Sequence, residues 1–148
     1  MALKEQISDA VKDAMRARDK ARLSAFRLIM ADIKRVEVDS QQEADDAAVL
    51  AILDKMVKQR KDSAMQYRKA GRTDLAEIEE AEMAVIQEFM PQPLSADALA
   101  ALVSDAIAST GASSMRDMGK VMAQLKPQVQ GRADMTEVSK LVKSSLGG

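Results

Sequence analysis

Residues 113–134, SSMRDMGKVMAQLKPQVQGRAD, carry the pattern that decides how the C-terminal part of this chain folds. Ser114 is followed three residues later by Asp117, and this spacing predicts a helix that starts after Ser114 with a capping pair. Lys126-Pro127 is expected to end or tighten this helix, because proline removes a backbone hydrogen bond. Apolar residues recur at helical spacing and predict one apolar stripe, Met115, Met118, Val121, Met122 and Leu125, of which the last four are expected to pack against the other two helices.

Gly119 lies in the middle of the predicted helix, where glycine costs about 0.5–1 kcal/mol relative to alanine. One explanation is a close crossing with another helix, and the other is a surface on which the backbone of a ligand comes close. Gly131 then turns the chain, and Asp134 with Glu137 predicts the cap of the next helix. The cations Lys120, Lys126 and Arg132 are spread along the same stretch.

The composition of the 148 residues predicts an all-α protein. Aromatic residues make up 2% of the chain, and alanine and eleven methionines supply apolar side chains instead. Small and flexible side chains suit close helix packing, whereas clusters of β-branched and aromatic residues, which are typical of strands, are missing. The chain has neither cysteine nor histidine, which removes disulfides, thiolate metal sites and the commonest general base.

The N-terminus and the hydropathy pattern predict a soluble cytoplasmic protein. Residues 1–11, MALKEQISDAV, have no apolar core of signal-peptide length, and no run reaches the roughly 20 apolar residues of a membrane span. The formal net charge is −1, so the overall charge does not indicate a nucleic-acid partner. We therefore expect no membrane partner, no DNA partner, no metal site and no cofactor.

Apolar periodicity and capping residues predict four helices in the N-terminal part of the chain. The expected ranges are 2–18, 20–38, 46–70 and 74–90, with a stop at Gly71 and a cap at Thr73. The third and fourth helices are expected to form a long antiparallel pair about the turn at Gly71. The inward-facing residues of the fourth helix are predicted to be Leu75, Ile78, Val85, Ile86 and Phe89.

Charges in the third and fourth predicted helices are segregated. Residues 55–72 contain seven basic residues and one acid, whereas residues 74–88 contain six acids and no base. One interpretation is that the two blocks neutralise each other across the antiparallel pair, although each surface pair adds little stability. The alternative is that the basic face stays open to phosphate.

Residues 90–93, Met-Pro-Gln-Pro, predict a domain boundary, because two prolines in three residues interrupt a helix. The predicted domains are residues 1–90, a helical domain, and residues 94–148, a small three-helix bundle. The first helix of the bundle is expected to run from a cap at Ser95 to Gly111, and the third from Asp134 to Leu146.

Three motifs resemble the GatB/YqeY family, and in particular its stand-alone YqeY-like members. They are VKQRKDSAMQYRKAGRTDLAEIEEAEM at 57–83, EFMPQPLS at 88–95 and SMRDMGKVMAQLKPQVQGRADMTEVSKLVK at 114–143. The resemblance implies a helical domain followed by a three-helix domain similar to the C-terminal tail of the B subunit of glutamine-dependent aspartyl/glutamyl-tRNA amidotransferase. In that enzyme the tail contacts tRNA. The resemblance therefore implies tRNA association and an inherited label of carbon–nitrogen ligase with glutamine as amido-N-donor.

The first functional hypothesis is a binding module for structured RNA, with tRNA as the RNA that the resemblance implies. Glycines permit close approach of a backbone, and cations meet phosphates. The alternative is that the glycines serve packing and turning and that the cations are only solvated. The predicted RNA-binding residues are Gly119, Lys120, Lys126, Gly131 and Arg132.

Two further hypotheses compete with RNA binding. A catalytic amidotransferase is disfavoured because lysines and carboxylates alone would have to supply the chemistry, and we predict no catalytic residue and no metal ligand. A protein-interaction or assembly module is favoured by the many methionines, which suit adaptable binding surfaces. A protein partner is therefore the alternative to tRNA.

Overall fold

The chain folds into seven α-helices in a computed structural model that describes residues 2–147. No strand occurs among these residues, so the all-α prediction is confirmed. The chain divides into two compact units, Met1–Met90 and Pro91–Gly148, while their assignment as domains stays a prediction. The helices are α1 (Leu3–Ala17), α2 (Lys20–Ser40), α3 (Asp46–Lys69), α4 (Thr73–Gln87), α5 (Ala96–Thr110), α6 (Met118–Val129) and α7 (Met135–Ser145).

The four helices of the N-terminal unit share one core, and an aromatic pair closes one side of it. Phe26 is 1% exposed, and its ring meets the ring of Phe89 with centroids 5.6 Å apart and planes at 72°. The Arg22 guanidinium lies 5.0 Å from the centroid of Phe26 and donates to both carboxylate oxygens of Glu88, at 2.9 and 3.3 Å. These contacts hold the end of α4 against the start of α2. The buried core residues are Ile7, Ala14, Phe26, Ile29, Ile33, Val49, Leu53, Met56 and Ile86.

The start of α4 differs from the sequence-based prediction. Thr73 was expected to cap this helix, but it is the first residue inside it, and Arg72 at the cap position makes no side-chain cap bond. Gly71 has φ = 74° and lies in the three-residue turn of residues 70–72, and helical bonding resumes when the Ala76 N–H donates to the Arg72 carbonyl at 3.1 Å. The short turn thus leaves Arg72, rather than a residue with a capping side chain, directly before α4.

The charged blocks of α3 and α4 meet across their contact. The Arg60 Nε donates to Glu82 at 3.0 Å, and Arg68 donates to both oxygens of Glu80, each at 2.8 Å. The order of these pairs shows that the helices are antiparallel. The hydrogen bond from Arg68 is the main cause that lowers the pKa of the Glu80 carboxyl. Mutual neutralisation of the two blocks is therefore confirmed for these two arginines.

Ile78 was predicted to face inward, but 56% of its surface is exposed, so this prediction is wrong. Ala76 and Ile86 are the buried residues of α4. At 100° per residue Ile78 lies about 160° from Ala76, on the other side of the helix. It lines a groove of about 550 Å³ between α2 and α4, together with Ala21, Ala25, Ala81 and Val85.

The three helices of the C-terminal unit enclose a core of their own. Ser95 accepts a hydrogen bond from the Ala98 N–H at 3.1 Å, and Asp134 accepts one from the Thr136 N–H at 2.9 Å, so both predicted caps are confirmed. The buried residues of this core are Leu99, Val103, Ala106, Val121, Leu125, Val129, Val138, Val142 and Leu146.

Replacement of Phe26 by alanine is expected to lower the free energy of unfolding of the N-terminal unit by about 3–5 kcal/mol, because a buried ring is lost and a cavity remains. Leu28→Ala is the matched control on the same helix, since Leu28 is 43% exposed and should change stability by less than about 1 kcal/mol. Urea denaturation followed by circular dichroism measures both values. Equal losses in the two variants would show that the Phe26–Phe89 contact does not stabilise this core.

Candidate functional site

The helix α6 continues through Pro127, so of the two expected effects of Lys126-Pro127, an end or a tightening of the helix, the end is wrong. The Gln130 N–H donates to the Lys126 carbonyl at 3.0 Å, which extends the helical bonding past the proline. Leu125 and Val129 have no exposed surface and lie on either side of Pro127 in the chain. The free energy gained by burying these two side chains offsets the loss of the hydrogen bond that proline cannot donate.

The start of α6 also differs from the predicted capping pair. The Ser114 side chain makes no cap bond, and a 3₁₀ turn at Met115–Asp117 precedes the helix. Asp117 Oδ2 accepts a hydrogen bond from the Ser113 N–H at 2.9 Å, so only the acidic half of the predicted pair is formed. This bond is the main cause that lowers the pKa of the Asp117 carboxyl, and the charge of Lys120 lowers it further.

The exposed side of α6 has a low floor between two lysines. At 100° and 1.5 Å per residue, Lys120 and Lys126 lie about 120° apart around the helix and about 9 Å apart along it. Gly119, Ala123 and Pro127 fall in the sector between them, and all three are exposed. The small size of these three residues leaves the helix backbone close to the surface. We call these five residues the α6 face.

Gly119 is the second residue of α6, so the prediction that it lies in the middle of the helix is wrong, and it has no packing role within residues 2–147. A Cβ placed at this position would meet no atom within 4 Å, apart from the neighbouring helix backbone. The explanation by a close helix crossing is therefore wrong. Close approach of another molecule remains as the explanation that the sequence suggested.

Gly131 and Arg132 lie in the turn between α6 and α7, beyond the α6 face. Gly131 has φ = 76°, a conformation that glycine adopts without strain, so the predicted turn is confirmed. The Arg132 Nε donates to the Gln92 carbonyl at 3.1 Å, and the Arg132 carbonyl accepts from the Leu94 N–H at 2.8 Å. Arg132 thus holds the proline-containing segment on this turn. The contact spans 40 residues, and no local pattern in the sequence indicates it.

Lys120 and Lys126 are exposed and form no hydrogen bond or ion pair with any residue between 2 and 147. On α7, in contrast, Lys140 lies 3.7 Å from the carboxylate of Glu137. The structure therefore brings Gly119, Lys120 and Lys126 together on one face. Their role in RNA binding, with that of Gly131 and Arg132, stays a prediction.

A family model for Yqey-like proteins matches residues 4–146, which is nearly the whole chain. The chain belongs to the family of Yqey-like proteins. The resemblance recognised in the three sequence motifs is thereby confirmed. The match runs through all seven helices, so the α6 face lies within it.

Fungal relatives of this Yqey-like protein include two proteins named altered inheritance of mitochondria protein 41, mitochondrial. The one from Pyrenophora tritici-repentis is 29% identical over 140 residues, covering 93% of this chain and 77% of the relative. The one from Lachancea thermotolerans is 36% identical over 90 residues, covering 60% of this chain and 48% of that protein. An uncharacterized protein of Schizosaccharomyces pombe is 33% identical over 93 residues, covering 63% of this chain and 76% of its own length.

Two features of the described residues bear on membrane insertion and metal binding. No helix within residues 2–147 is long and apolar enough to cross a bilayer. The same residues contain no group of three or more His, Cys, Asp or Glu side chains placed to hold a metal ion. The names of the two relatives above place those proteins in mitochondria. The cytoplasmic location of this Yqey-like protein stays a prediction.

Replacement of Gly119 by alanine is expected to raise the free energy of unfolding by about 0.5–1 kcal/mol, because alanine is the better helix former and the site has room for a methyl group. Gly111→Ala is the matched control in the same unit. Gly111 ends α5 with φ = 67°, where an L side chain is strained. The free energy of unfolding of this variant should therefore fall by about 1 kcal/mol. Urea denaturation of both variants checks the opposite signs. A destabilised Gly119→Ala protein would restore a packing role for this glycine.

The Asp117–Ser113 contact is expected to stabilise the protein in a pH-dependent way. Folding lowers the pKa of the Asp117 carboxyl, so the contact contributes stability above the unfolded pKa and loses it as the pH falls through the folded pKa. Asp117→Asn should therefore destabilise the protein near neutral pH, and the difference from wild type should shrink towards about pH 3. Asp105→Asn, an exposed change on α5, is the control. A difference for Asp117→Asn that stays constant over this range would exclude a role for the charged carboxylate.

Proposed function

We propose that this Yqey-like protein associates with tRNA and that the α6 face contacts the phosphate backbone. The observation that carries the proposal is the floor of Gly119, Ala123 and Pro127 between two unpaired lysines. A sugar–phosphate strand can approach the helix backbone over this floor while Lys120 and Lys126 reach the phosphates on either side. Gly131 and Arg132 extend the contact at the turn after α6, where Arg132 uses one of its five N–H donors for Gln92.

The scarcity of aromatic side chains supports recognition of the backbone rather than of unpaired bases. Phe26 is buried and packs against Phe89, and Tyr67 is half-buried. Bases of single strands stack on exposed aromatic rings, and the described residues present no such platform. Folded RNA with an exposed backbone, such as tRNA, is therefore the RNA class that suits this surface.

The resemblance to the tail of the tRNA amidotransferase B subunit supports the same partner. We expect this chain to bind tRNA, whereas the carbon–nitrogen ligase chemistry belongs to the larger enzyme that the resemblance implies.

One observation favours a protein partner instead: Met115 is 42% exposed directly before α6. An apolar protein contact there would respond weakly to salt, whereas phosphate binding weakens steeply as salt rises.

The double variant Lys120→Gln/Lys126→Gln is expected to bind a tRNA transcript more weakly than wild type. Because each lost phosphate contact reduces the dependence of affinity on salt, the slope of log K against log salt should fall by about 1–2. Lys140→Gln/Lys143→Gln on α7 removes the same charge from the same unit and is the matched control. Fluorescence anisotropy titrations at several salt concentrations measure the slopes, and circular dichroism checks folding.

Comparison of the two double variants decides whether the α6 face contacts tRNA. A weakened α6 variant beside a control that binds like wild type supports the proposal. An α6 variant with the wild-type slope, or equal losses in both variants, contradicts it. Arg132 is left unchanged because its loss would also remove the hydrogen bond to Gln92.

A further inference from the structure

A row of three cations runs along the exposed side of α2 in the N-terminal unit. Lys20, Arg27 and Lys34 recur every seven residues, so they lie within about 40° around the helix and about 10.5 Å apart along it. All three are exposed, and none forms a hydrogen bond or ion pair with another residue of the described chain, 2–147. We call these three residues the α2 row.

The acids of α2 lie to the sides of this row. At 100° per residue, Asp32 and Asp39 lie roughly 120–140° around the helix from Arg27, and Asp32 pairs with Arg35 at 3.5 Å. Glu37 comes nearest to the row, three residues after Lys34 and about 60° from it, but it is paired with Lys4 at 2.7 Å. Lys20 and Arg27 therefore have no acid of α2 beside them, and the acid nearest to Lys34 already has another lysine as its partner.

Two open grooves lie between consecutive cations of the α2 row. One has a volume of about 330 Å³ and is lined by Lys20, Ser24 and Arg27, with Leu23 and Leu28. The other has a volume of about 520 Å³, and Arg27, Ala31 and Lys34 line it together with the ion pair of Lys4 and Glu37. Ser24 and Ala31 are exposed and small, so these two positions leave the backbone of α2 accessible between the cations. The row is a nearly straight surface with a length of about 21 Å at 1.5 Å per residue.

The buried side of α2 limits what can bind to the row. Phe26, Ile29 and Ile33 are at most 1% exposed, so the apolar face of the helix is used by the core and cannot enter a bilayer. Leu28 and Val38 are exposed, but they are ten residues apart and form no continuous apolar patch. A stable protein interface buries an apolar centre, which this surface does not offer.

We propose that the α2 row is a second RNA contact, which binds the phosphate backbone of a double-stranded segment. Regularly spaced cations on a rigid helix match a regular line of phosphates, and small residues between them allow the strand to approach. A duplex fits better than a single strand because the surface has no aromatic ring on which bases could stack. The site lies on a different unit from the α6 face and does not depend on it.

The test uses a fluorescein-labelled RNA duplex of about 20 base pairs, longer than the row. The triple variant Lys20→Gln/Arg27→Gln/Lys34→Gln is expected to bind this duplex about tenfold or more weakly at moderate salt. Its slope of log K against log salt should fall by about 2–3, one phosphate contact for each cation. Glutamine keeps the helical propensity of the replaced residues, and circular dichroism checks that the variant folds.

A matched control removes three cations that already have acidic neighbours. Lys12, Arg16 and Arg35 each lie three residues after an aspartate, with N–O distances of 3.9, 3.1 and 3.5 Å. The variant Lys12→Gln/Arg16→Gln/Arg35→Gln changes the net charge of the unit by the same amount. It should bind the duplex like wild type, because the charges that it removes are already paired.

Several results would overturn the assignment of the α2 row. They are a wild-type protein that does not bind the duplex, a row variant with the wild-type slope, and equal losses in both triple variants. Binding of polyglutamate or of phosphatidylserine vesicles through the row, without binding of the duplex, would assign the surface to an acidic protein or to a membrane instead. Titration of the same duplex with Lys120→Gln/Lys126→Gln separates the two sites, because a defect confined to either variant locates the contact on that unit.

Discussion

The geometry of the C-terminal unit depends on α6 remaining a single helix through Pro127. Proline removes one backbone donor inside the helix, at a cost of up to about 3 kcal/mol in a helix interior. Val121, Leu125 and Val129 recur every four residues, and all three are fully buried against the rest of the unit. Their burial keeps the helix intact on both sides of the proline. If α6 ended at Lys126, Pro127 would lie outside the helix, and the floor of Gly119, Ala123 and Pro127 would lose its last residue.

Three arginines and the two lysines of the α6 face have different roles in this molecule. Arg68 holds Glu80 with two hydrogen bonds, Arg72 holds Asp74 in the same way, and Arg132 binds a backbone carbonyl. The planar guanidinium suits such directional contacts, whereas lysine is a flexible point charge that stays solvated. Lys120 and Lys126 make no hydrogen bond and no ion pair among residues 2–147. A net charge of −1 therefore conceals local surfaces of positive charge.

Local patterns predicted those parts of the fold that depend on neighbours in the sequence. The caps at Ser95 and Asp134 and the turn at Gly131 follow from residue type, because each acts within a few residues of itself. Thr73 was misassigned because α4 already begins at this residue, so the cap position falls to Arg72, whose side chain makes no cap bond. The Arg132–Gln92 bond could not be predicted, since it joins residues 40 apart that only the tertiary fold brings together.

The two cationic surfaces have one physical feature in common: each lies on a helix whose opposite side is fully buried. Ile29 and Ile33 fix α2, and Val121 and Leu125 fix α6. The cations therefore project from helices that do not have to fold on binding, so the entropic cost of a complex is confined largely to the lysine and arginine side chains. A few charge contacts on a rigid helix can then give measurable affinity without an apolar interface. Such binding discriminates by the spacing of phosphates rather than by base sequence, because neither surface offers groups placed to read base edges.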